Sequence, residues 1–254
     1  MRRHVHAEWT KLRTLPGTGR LLLALVALTV AVSVAAAAVV SCTSAGCGYD
    51  PARISLFGIQ AGQAVVAVLV VPAVSGEFGT GMIRTTLAAM PGRIGVLAAK
   101  AVVLTGLTLA AGSVAVLASV AAGWRILRGN GFASELPALT GEPMLRAAFG
   151  SVLYLALIAL FSLGVATAVR DSATAIGVVL GLLYLFPAII LVVPDADVAE
   201  FLWKISPMNA GLAVQATTSL SGLPLHPWAG LGVLAAWAAA ALLGGGLLFR
   251  ARDA

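Results

Sequence analysis

LLLALVALTVAVSVAAAAVV, from Leu21 to Val40, decides what kind of molecule this is, because 20 consecutive residues carry no charge. As a helix such a run reaches roughly 30 Å, the thickness of a bilayer's hydrocarbon core. Helix is the default there, since hydrocarbon offers no water to satisfy a free backbone group. Long apolar runs recur at Leu56 to Val74, Val96 to Ala122, Ala147 to Val169, Thr174 to Val193 and Trp228 to Phe249, the one from Val96 with Lys100 near its start. The sequence therefore predicts an all-α membrane protein, a single domain over residues 1–254 with six transmembrane helices at 21–40, 56–74, 96–122, 147–169, 174–193 and 228–249. Pro72, near the end of the second run, is expected to kink it.

Composition agrees with this reading. Hydrophobic residues make up 60% of the chain and charged residues 10%, against roughly a quarter charged in a soluble domain. So little charge cannot coat a soluble globule of this length. Lys and Arg number 16 against 10 Asp and Glu, yet no basic run alternates with aromatics as a nucleic-acid groove requires, so nucleic acid is not expected as a partner. Topology explains the excess better. With both termini in the cytoplasm, Arg2, Arg3, Lys11, Arg13, Arg20, Arg84, Arg93, Lys100, Arg170, Arg250 and Arg252 lie inside, and Arg53, Arg125, Arg128, Arg146 and Lys204 outside.

Cys42 and Cys47 then fall in an outward-facing loop, where their spacing suits a disulfide or two unpaired thiols. His4, His6 and His226 offer no ligand spacing, so no metal site is expected. Val39-Val40-Ser41-Cys42 has the look of a lipoprotein cleavage box, but the run before it spans a bilayer and further spans follow, so cleavage is not expected. Residues 1–19 form a cytoplasmic segment in which Val5, Trp9 and Leu12 fall at helical spacing with Glu8 and Lys11 on another face, the pattern of a helix lying in the membrane interface. The longer outer segments run from Gly123 to Arg146 and from 194 to 227; in the second, Val198, Phe201, Leu202 and Ile205 mark an amphipathic helix before a surface or half-inserted stretch.

Enzyme chemistry is not expected. The chain has no phosphate loop, no His-Glu-x-x-His and no histidine within a span. The centres of the spans also lack the ionisable residues that ion-coupled carriers place there. Gln60 and Gln63 are the strongly polar side chains of the second span, as candidate substrate-path residues or as hydrogen bonds between helices. Gly58 with Gly62, and Gly177 with Gly181, are spaced for close helix contact.

The inner loop SGEFGTGMIRTTLAAMPGR, Ser75 to Arg93, is the most informative stretch, a cytoplasmic loop over 75–95. Ile83, Leu87 and Met90 fall at i, i+4 and i+7 before Pro91-Gly92, which predicts a short amphipathic helix. Its apolar face needs cover from the ends of the spans, from lipid or from another protein.

With this loop, an opening Glu8-Trp9-Thr10-Lys11-Leu12-Arg13-Thr14 and a long outer segment before the last span, the chain resembles the permease subunits of type-2 ABC exporters. Members often show Glu, three residues, then Gly-Thr; Glu77 and Gly81 match, Met82 stands in the Thr place, and Gly79-Thr80 comes early. The resemblance implies a bacterial cytoplasmic membrane protein, with a coupling helix built on Glu77, Gly81, Ile83, Arg84, Leu87 and Met90. It implies an ABC ATPase subunit that binds ATP and Mg, a second permease chain in a homodimer or heterodimer, and no cofactor in this chain. Glu77 alternatively pairs with Arg84 or Arg93 as a structural anion. The uncharged spans favour a hydrophobic or amphipathic cargo. Alternative functions are a secondary transporter or channel, and a non-transporting membrane anchor for an ATPase.

Overall fold

A computed structural model describes residues 2–14, 16–42, 48–89, 92–132, 141–218 and 220–251. Among these residues every regular element is helical, and six helical stretches are long and apolar enough to cross a membrane. A helix α1 (Arg2–Thr14) precedes the first of them, α2 (Pro16–Val39). The second begins with a short helix, α3 (Pro51–Ser55), capped by Asp50, whose carboxylate accepts from the Ala52 and Arg53 amides; it turns at Leu56 to Gly58 and continues as α4 (Ile59–Gly79). Pro72 lies inside α4 without ending it, so this span runs past Val74, where the apolar run stops, to Gly79.

Gly81, at a φ of +70° that suits glycine, turns the chain into α5 (Met82–Ala89). The third span, α6 (Arg93–Gly129), has 37 residues and reaches roughly 55 Å, well beyond one bilayer core. The fourth is α7 (Glu142–Val169), ended by Arg170 in the left-handed conformation. The fifth starts as α8 (Ser172–Leu180) and widens into a π-turn at Gly181–Leu185 before α9 (Phe186–Ile190). Pro187 is the local cause: it has no N–H for the carbonyl four residues back, and the Phe186 amide reaches Gly181 instead. Two short helices, α10 (Ala196–Ile205) and α11 (Pro207–Leu212), lead to the sixth span, α12 (Pro227–Ala251).

Contacts between distant segments sort the helix termini into two ends. At one end Lys11 and Lys100 meet Glu77, the Ser75 and Ser172 hydroxyls lie 2.6 Å apart, and Arg93 donates to the carbonyls of Phe249 and Arg250. At the other, Asn130 donates to the carbonyls of Ala37 and Val40, Arg146 to that of Ala216, and Trp237 to that of Ile205. Successive spans therefore run in alternating directions.

α7 is the central helix, with Tyr154, Leu155, Ile158, Phe161 and Leu163 all buried. Phe161 meets Trp237 of α12 edge-on at 6.2 Å. Small residues set the closest crossings: a Cβ on Gly58 would sit 1.8 Å from the Thr29 carbonyl oxygen, and one on Gly164 2.4 Å from the Ala241 backbone. The Gly58 and Gly62 pair indeed faces α2, where the Gly58 amide also donates to Ser33. Gly177 and Gly181, by contrast, face no other part of the chain within 4 Å among the described residues.

Candidate functional site

Four charged side chains converge at the end of the bundle that carries α1. Lys100, on the second turn of α6, donates to Glu8 Oε2 at 2.9 Å, to Glu77 Oε1 at 2.7 Å and to the Ala73 carbonyl at 3.4 Å. Its three ammonium protons are thereby used. Lys11 also donates to Glu77 Oε1 and lies 3.6 Å from Glu8. Glu8, Glu77 and Lys100 are buried, and Lys11 is partly exposed. Two carboxylates against two ammonium groups make the cluster neutral, which lets so much charge sit among apolar side chains. It fastens α1, α4 and α6 to one another at a single point.

The arrangement gives Glu77 partners that the sequence did not name, and it turns α1 differently from the expectation. Glu77 pairs with Lys11 and Lys100, while Arg93 turns to the carbonyls that end α12 and lies over the Phe249 ring. In α1 the inward residues include Glu8 together with Leu12, whereas Trp9 points outward at 44% exposure. The reason is electrostatic: the buried Lys100 ammonium needs an anion, so Glu8 takes the inward position that a purely apolar face would have denied it. Lys100 was legible as a cation on the third run, but its partners lie 92 and 23 residues away, beyond the reach of local periodicity.

α5 sits directly beside this cluster. Ile83 is buried against the bundle and, with Val74, Glu77, Phe78, Leu97 and Phe249, surrounds a void of about 10 Å³, room for a single water. Glu77 Oε2 is buried without a hydrogen-bond partner among the described residues. Phe78 packs edge-on against Phe249 at 5.8 Å and carries the Arg170 guanidinium over its ring. The ends of the spans thus cover Ile83, while Met82, Thr85 and Ala88 are exposed. Gly81 forms the turn before α5; the side chains of Arg84 and Leu87, and Met90 as a whole, lie outside the described residues.

The opposite end is held by uncharged and backbone groups together with Asp50 and Arg146. Gln63 is buried, accepting from the Tyr154 hydroxyl and donating to Met208 Sδ at 3.3 Å. Gln60 takes part through its carbonyl, which accepts from the Tyr184 hydroxyl. Asp50, not singled out in the sequence, accepts from the Thr217 amide and hydroxyl and the Thr218 amide as well as capping α3. Cys42 is disulfide-bonded, and Cys47, the other cysteine of the sequence, lies outside the described residues. Among the described residues no three His, Cys, Asp or Glu side chains gather as a metal site. No protein-family model matches the chain, and no curated protein matches its sequence.

Proposed function

We propose that this chain is the membrane-spanning permease subunit of an ATP-driven exporter, in which two such chains join two copies of a separate ATPase. The single observation that carries the reading is α5, a short helix between the second and third spans whose inner side rests on Glu77 and whose outer side is open. A push on α5 is passed through Ile83 to the Glu77 cluster and so to α1, α4 and α6 together. The resemblance of the Glu8 to Thr14 opening and the Glu77 to Lys100 loop to type-2 ABC permeases supports the same assignment. The positive-inside bias supports a cytoplasmic α5, where an ATPase would meet it, and the resemblance supports a bacterial cytoplasmic membrane.

On this reading α1 lies in the inner interface, with the exposed Trp9 at headgroup depth. Nucleotide-driven closure of the ATPases shifts α5, and the bundle moves between inward-open and outward-open states; a decisive shift requires about 5 kcal/mol of differential binding. The cargo is hydrophobic or amphipathic, because the spans are apolar and so strongly polar a buried side chain as Gln63 is already bonded to Tyr154 and Met208.

Met82→Asp and Thr85→Arg on the open side of α5 test the assignment. The expected result is loss of a co-purifying phosphate-loop ATPase, identified by mass spectrometry, and loss of ATP-dependent efflux, with the helical content of the purified chain unchanged. Undiminished co-purification and efflux in both variants would sink the coupling role. Efflux abolished by a protonophore while cellular ATP persists would point to a secondary transporter.

A further inference from the structure

A groove of about 450 Å³ opens at the end of the bundle opposite α1, lined by Glu142, Leu145, Arg146, Phe149 and Trp228. Four of these are on one face of α7 at positions i, i+3, i+4 and i+7, and Trp228 stands at the start of α12. The two polar residues are in the first turns of a span, and the apolar pair continues down the same face. Phe149 and Leu145 are among the most exposed large apolar residues of α7, at 59% and 55%.

The charges in the groove are separated. Glu142 and Arg146 are spaced for an ion pair along a helix, yet Arg146 Nη2 is drawn 2.6 Å from the Ala216 carbonyl and no ion pair forms between the two among the described residues. The groove therefore presents an exposed carboxylate, a half-buried guanidinium anchored at one nitrogen and an indole, beside the apolar Leu145 and Phe149.

We propose that this groove binds a phospholipid with an ethanolamine headgroup from the leaflet bordering that end. The phosphate lies against Arg146, a charge-assisted contact. The primary ammonium donates to Glu142, with Trp228 beside it. An acyl chain follows Leu145 and Phe149 into the bilayer. A choline headgroup has no N–H to give Glu142, and a glycerol headgroup brings no cation, so ethanolamine is selected over both. The inference needs the chain to span a bilayer and is independent of what, if anything, the chain transports.

The test is native mass spectrometry of the full purified chain with dioleoyl phosphatidylethanolamine, phosphatidylcholine or phosphatidylglycerol added singly, and with water-soluble glycerophosphoethanolamine. Phosphatidylethanolamine should be retained about tenfold more than the other two lipids, and glycerophosphoethanolamine should not displace it. Arg146→Gln should weaken retention of all three lipids, whereas Glu142→Gln should remove the ethanolamine preference and leave phosphatidylcholine retention unchanged. Glu142 is exposed, so its variant keeps the fold. Equal retention of the three lipids by the parent chain, or an ethanolamine preference that survives Glu142→Gln, overturns the proposal. Displacement by glycerophosphoethanolamine overturns the choice of a lipid over a soluble ligand.

Discussion

Lys100 shows how strongly one charge constrains its surroundings. Its side chain is 5% exposed and is held by two carboxylates, both of them shared with Lys11. Replacing Glu77 by Leu leaves Lys100 and Lys11 to divide the single carboxylate of Glu8, and replacing Lys100 by Met leaves two buried carboxylates against one half-exposed ammonium. Each single change should destabilise the protein by about 3–5 kcal/mol, because an uncompensated charge stays behind. The double change E77L/K100M keeps the Glu8 and Lys11 pair, 3.6 Å apart, and removes one charge of each sign. Thermal unfolding in detergent should show the double variant more stable than either single one. A second charge acts outside the spans: hydrogen bonds from the Thr174 side chain and backbone hold the Asp171 carboxyl below its ordinary range as it caps α8. A lowered folded-state pKa means that this cap contributes fully above the unfolded Asp value and is lost as pH falls through the lowered one. Exchange protection of the Thr174 amide should therefore fall on acidification, and in Asp171→Asn the fall should be absent.

At the scale of elements, the crossings of α2 with α4 and of α7 with α12 depend on missing side chains. A Cβ on Gly58 or Gly164 meets backbone, which cannot rotate away, so Gly58→Val and Gly164→Val should force their helices apart and cost about 1–3 kcal/mol or more. Gly177→Ala, with nothing within 4 Å of the new atom among the described residues, should leave the unfolding midpoint of the isolated chain unchanged. The sequence treats both small-residue pairs alike, since spacing says that a close approach is possible and never which helix makes it. Span number was legible for a simpler reason: hydrophobic length is local information. The ends were less so. Polar residues can continue a helix once past the hydrocarbon, which is how α4 reaches Gly79 and α6 begins at Arg93. α5 was visible from its periodicity, but its inward side chain, Ile83, became identifiable only when α4 and α6 were seen beside it.

For the whole molecule, the proposed direction across the membrane rests on charge. The end bearing α1 gathers 11 of the 16 Lys and Arg residues of the chain, counting by the span each adjoins, and the opposite end 5. That bias was readable from the sequence, because it needs only the order of the spans. The Glu8, Lys11, Glu77 and Lys100 cluster was not, because its members come from three helices brought together by the fold. The two observations nevertheless concern the same end: the cluster neutralises its own charges, so the excess of basic residues there comes from outside it. Single-cysteine reporters can read the orientation, with Thr85→Cys beside the cluster and Thr218→Cys at the opposite end, both in a Cys42→Ser and Cys47→Ser background. In intact cells a membrane-impermeant maleimide should label Thr218→Cys and spare Thr85→Cys, and permeabilised cells should label both. The reverse pattern would place α5 outside, where no ATPase could reach it, and the exporter reading would fall with the orientation.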